Sequence, residues 1–165
     1  MKILSMLFLP VLLATFCGCG DPYEEGVQAL DQKRWADAAE LFRQVPNLDK
    51  RKEEAKIKAA TAHFELGKLS FDKEDWHAVF DHLKSIPRAH DKFQEGRDIL
   101  DFAYFHLGKE SSGAQNWLKA VEQLGMVREG NKHREEAREL YKAAVVKNKE
   151  RRDAEKAAAA AAEAE

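Results

Sequence analysis

The sequence predicts an all-α protein, a short α-solenoid of helix-turn-helix repeats closed by a C-terminal capping helix. Three observations carry this. Ala, Glu, Lys, Arg and Leu are abundant, while four prolines and nine glycines in 165 residues are too few for a loop-rich β protein. The three tryptophans Trp35, Trp76 and Trp117 each follow a glycine, Gly26, Gly67 or Gly108, by nine residues, and the pairs recur every 41 residues. A period of about 20–50 residues marks stacked supersecondary units. Within each unit the apolar residues step by three and four, which is one face of a helix. Formal charge is −2 over the chain, so no global basic signal points to nucleic acid.

The N-terminal segment stands apart from the repeats. Lys2 precedes an apolar stretch over residues 3–16 and then small residues, the layout of a secretory signal. The stretch is shorter than the ~20 apolar residues of a membrane span and contains Pro10. Both cysteines, Cys17 and Cys19, end this segment, so no disulfide staples the rest of the chain. Phe16-Cys17-Gly18-Cys19 resembles a bacterial lipoprotein signal, with Gly18 before the modified residue and Cys19 as the lipidated first residue. Phe16 and Cys17 depart from the usual Leu and small uncharged residue. Ordinary cleavage after Gly20 is the alternative. The expected organisation is a signal over 1–18, a lipidated tether over 19–22, a helical repeat domain over 23–146 and a charged, alanine-rich tail over 147–165. Removal of Lys2 leaves 26 basic against 29 acidic side chains, so the lipid rather than net charge supplies attachment.

In the first unit Trp35, Ala38, Ala39, Phe42 and Val45 form one apolar face, and Pro46 ends the helix. The second unit repeats this with Trp76, Val79, Phe80, Leu83 and Ile86, with Asp75 as N-cap and Pro87 as terminator. The third uses Trp117, Ala120, Val121, Leu124 and Val127 and stops at Gly130-Asn131. The earlier helix of each unit is longer, roughly 53–71 and 93–109, and is apolar on more than one side, as an inner helix of a stack requires. Gly67 then admits the helix that carries Trp76, and each tryptophan is expected to lie mostly buried between the helices of its unit. The alternative is that Gly67 ends a helix as a left-handed cap.

These residues resemble the tetratricopeptide repeat family: Gly in the first helix, an aromatic opening the second, a small residue three later (Ala38, Val79, Ala120) and a large apolar one four beyond (Phe42, Leu83, Leu124). The resemblance covers residues 23–127. The unit is longer than the family's ~34 residues, and Ala29, Ser70 and Ser111 stand where the family has a large aromatic. The resemblance implies a right-handed superhelix whose groove, lined by the first helix of each unit, binds other proteins. That role falls on Phe64, Lys68, Phe71 and Asp72 in the second unit and on Phe102, Phe105 and Lys109 in the third. Steps of four and three place Phe64, Lys68 and Phe71 on one face, and such rings beside lysines suit an apolar peptide with an acidic group. Full burial of the rings against neighbouring helices is the equal alternative.

A last helix from about residue 133 carries Ala137, Leu140, Tyr141, Ala144 and Val145 on one face and caps the stack. Beyond Lys147 the apolar line fades, so the tail is expected to be solvated helix or frayed chain. His77 and His82 lie off a common face, and His63 and His106 sit beside apolar lines, so no metal site or cofactor is expected. No nucleophile, phosphate or zinc-protease motif is present. The expectation is a non-catalytic scaffold for other envelope proteins or peptides, lipid-anchored and facing the periplasm. The alternative is an exported cell-wall or glycan-associated enzyme or carrier that uses carboxylates in the groove.

Overall fold

The computed structural model describes residues 20–163, so the expected signal segment and Cys19 lie outside the described residues. Seven helices and no strand are present among these residues: α1 Pro22–Asp31, α2 Trp35–Gln44, α3 Lys52–Asp72, α4 Trp76–Leu83, α5 Phe93–Gly113, α6 Trp117–Gly125 and α7 Arg134–Ala162. Local chemistry sets their starts. The Asp21 carboxylate accepts the Tyr23 N–H at 3.0 Å, with Pro22 in the first turn of α1. Asp75 accepts the Ala78 N–H at 3.1 Å to open α4. Both long helices run further than the sequence reading, and α7 passes through residue 147 as unbroken helix.

Two kinds of turn join the helices. In the first, Lys33, Glu74 and Gln115 adopt left-handed backbone with φ of 57°, 56° and 57°. The next residue in each case, Arg34, Asp75 or Asn116, donates its N–H back to the carbonyl of Ala29, Ser70 or Ser111. This closes the open carbonyls of α1, α3 and α5. In the second kind, the side chains of Asp49, His90 and Asn131 accept the N–H two residues on, at 2.8, 3.1 and 2.9 Å. His90 Nε2 lies 3.0 Å from Thr61 Oγ1 on α3, which ties this turn to the preceding long helix.

The helices pack in two layers. α1, α3, α5 and α7 touch in series, and each of α2, α4 and α6 lies against the odd-numbered helices before and after it without touching another even-numbered one. The core divides accordingly into three clusters, centred on Phe42, on Phe64 with Leu83, and on Phe105 with Leu124.

Gly67 and Gly108 lie inside α3 and α5 and end neither helix. Their partners differ from the sequence reading. A Cβ on Gly26 would meet the Phe42 ring at 2.8 Å, one on Gly67 the Leu83 side chain, and one on Gly108 Leu124 Cγ at 2.5 Å. The glycines therefore seat the large apolar residue in the last turn of the following helix rather than the tryptophan at its start. All three tryptophans are half-buried, not enclosed.

Candidate functional site

The expected contact residues separate into two groups. Phe64 and Phe105 are 0% and 2% exposed, which makes them core residues and not contact residues. Each ring is covered by cations. Lys68 Nζ lies 5.5 Å and Lys92 Nζ 5.7 Å from the Phe64 centroid, and Lys109 Nζ lies 5.0 Å from that of Phe105. A third ring of the same kind, Tyr23, carries the Arg51 guanidinium at 4.7 Å, while His133 stacks on Phe105 at 4.5 Å. Arg51, Lys92 and His133 each stand immediately before an odd-numbered helix, so these contacts clasp one such helix to the next.

Phe71 and Phe102 form the second group. Both are half-buried, and their rings meet edge to face at 5.3 Å across α3 and α5. Trp76, at the start of α4, contacts both, at 5.8 and 5.5 Å. His106, one turn after Phe102, stacks on Trp76 and on Phe102, each at 4.5 Å. His133 reaches Phe102 at 4.9 Å, and Lys132 Nζ lies 5.2 Å from the Phe102 centroid. Four helices or their leading turns thus converge on one patch of rings. Lys68 and Asp72 are exposed on α3, and Lys109 is exposed on α5 with an ion pair to Glu136 at 2.9 Å.

Burial, and then the neighbouring His133, hold the His106 pKa below the usual imidazole range, so the neutral ring is favoured in the stack. His133 Nε2 is buried without a hydrogen-bond partner. Sequence reasoning missed Trp76, His106, Lys132 and His133 as neighbours of this patch. Only the spacing of four between Phe102 and His106 signalled any of it.

The buried carboxylate of the fold, Asp101, is ion-paired. Asp101 is 1% exposed and takes the Arg128 Nε at 2.7 Å, and Asp98 takes the same guanidinium at 2.7 Å. Burial pushes the Asp101 pKa up despite that arginine. Among the described residues no group of three His, Cys, Asp or Glu side chains could hold a metal ion, and no helix is long and apolar enough to cross a membrane. Comparison with protein-family models, with curated proteins and with solved structures found no match.

Proposed function

We propose that the chain is a membrane-anchored, non-catalytic scaffold of the bacterial envelope, a tetratricopeptide-like right-handed solenoid of three 41-residue units that binds protein or peptide partners. Acyl chains on Cys19 hold it to the membrane, facing the periplasm. Three sets of equivalent features support the repeat: the glycine seats at Gly26, Gly67 and Gly108, the left-handed turns at Lys33, Glu74 and Gln115, and the clasped rings of Tyr23, Phe64 and Phe105. Within each set the members stand 41 residues apart.

The half-buried pair Phe71 and Phe102 carries the binding reading. One register earlier these positions hold Leu30 and Thr61, and one register later Ser112 and Ala143. The repeat therefore does not require rings there. Flanking lysines suit an apolar partner segment with acidic groups.

Charge reversal at the exposed Lys68 and Lys109 tests the site. The K68E/K109E protein should fold, losing one surface ion pair and two exposed cation–ring contacts of ~0.5–1 kcal/mol each, and should capture fewer cross-linked envelope partners than the wild type. Undiminished capture places the binding surface elsewhere. The anchor has its own test: a Cys19→Ser variant should leave the membrane fraction once its signal is removed, since stable anchoring takes two acyl signals or more.

A further inference from the structure

A cleft of about 600 Å³ runs between α2 and α4, floored by α3. It exists because the even-numbered helices do not touch one another. Ala39, Ala59 and Ala60 line it beside Phe42, Leu66 and Ile86. Arg43, Lys52 and Lys56 line it against one carboxylate, Glu40. Arg43 is paired with Glu40, and Lys56 with Glu53 outside the cleft, whereas Lys52 binds only the main-chain carbonyls of Arg43 and Val45, so its charge is uncompensated. His63 also lines the cleft, and its Nδ1 is buried without a hydrogen-bond partner.

The next cleft along, between α4 and α6 over α5, shows what is missing. Phe80, Leu100 and Tyr104 stand 41 residues after Ala39, Ala59 and His63. The rings of Phe80 and Tyr104 meet there at 5.6 Å, and Leu100 is 1% exposed. One cleft is filled by the chain's own side chains, and its counterpart carries alanines and a histidine.

We propose that the α2–α4 cleft is a second binding site, taking an acidic peptide segment that inserts one Phe or Leu side chain. The proposal rests on the scaffold reading and adds to it a surface distinct from the Phe71–Phe102 patch. The shape of the anchor follows from the residues that close the neighbouring cleft. The acidity follows from the excess of cations, and their spread matters too. Lys52 and Lys56 stand one turn apart on α3, and Arg43 faces them from α2. Several carboxylates along a chain match that spread better than one head group does.

The test is selection of random displayed peptides on the full chain held in phosphatidylcholine nanodiscs, with three variants as counter-targets. A39F/A59L restores the side chains of the filled cleft, R43E/K56E reverses the rim, and K68E/K109E alters only the other patch. The expected result is enrichment of peptides that combine acidic residues with Phe or Leu. Their affinity should fall at least tenfold on A39F/A59L and on R43E/K56E and hold on K68E/K109E. Peptides that lose affinity only on K68E/K109E overturn the second site and leave the scaffold reading standing. Equal affinity for all variants, or no enrichment, overturns the proposal. So does displacement of the enriched peptides from the wild type by dodecanoate with no preference for acidic sequences, which would assign the cleft to an amphiphile. Melting of A39F/A59L checks its folding, and if it does not fold, R43E/K56E decides, because both side chains are exposed.

Discussion

Replacing Gly108 with alanine sets two known effects against each other at one atom. In an open helix the change gains up to ~1 kcal/mol, because glycine is the poorer helix former. At Gly108 the added Cβ would lie 2.5 Å from Leu124 Cγ, 2.6 Å from its Cδ2 and 3.3 Å from its backbone nitrogen. Leu124 is fully buried, and a branch carbon with a backbone atom behind it cannot swing aside. Overpacking of this kind costs ~1–3 kcal/mol, so the net loss is up to ~2 kcal/mol. Gly113, in the same helix, has nothing within 4 Å of its added Cβ. Its alanine variant keeps a gain of up to ~1 kcal/mol, smaller at the helix end. Subtracting the two removes most of the propensity effect and leaves the steric cost of ~1–3 kcal/mol. Urea melts followed by far-UV circular dichroism measure both. In the G108A background Leu124→Ala should cost less than in the wild type, because the clash has gone. Equal shifts of the same sign for G108A and G113A would refute the close-approach account.

Arg128→Ala should destabilise the fold by ~3–5 kcal/mol, since it strands the buried Asp101 carboxylate. The raised Asp101 pKa gives a sign as well. Its contribution is full below the ordinary carboxylate range and is lost as pH rises through the folded value, so Asp101→Asn should flatten that part of the stability profile in urea melts at stepped pH. His106 has the opposite sign. Its lowered pKa makes stability fall as pH drops below the ordinary 6.5 and through the folded value. His106→Phe keeps a ring between Trp76 and Phe102 and should shrink that acid loss, while His63, also shifted down by burial, retains part of it. A chain stopped after Val146 should melt within ~0.5 kcal/mol of the full chain, because the rest of α7 is almost wholly exposed.

The helices were legible because their signals are local. Pro46, Pro87 and Asp75 act within a turn of where they stand, and steps of three and four mark the buried faces. The glycine seats were half legible. Spacing showed that Gly67 and Trp76 recur together, but which side chain enters the seat depends on how two helices cross, and Leu83 is seven residues beyond Trp76. The rings divided for a similar reason. Phe64 and Phe71 lie on one face of α3 in sequence, yet α4, α5 and two lysines cover the first and leave the second half open. The ring patch joins residues from three helices and the turn before α7, and the α2–α4 cleft is defined by atoms that are absent, so neither shows along a single segment.

The seats on α3 and α5 have a consequence at the far end of the stack. α7 contains no glycine, so it offers no notch in which a short helix could sit as closely as α6 sits on α5. Head-to-tail assemblies lengthen into fibres when the last surface of one copy reproduces the one that received its predecessor. Here the last described helix does not. At the position of the seat, 41 residues after Gly108, α7 carries Lys149, so a further copy's short helix would meet a long charged side chain there instead of a notch.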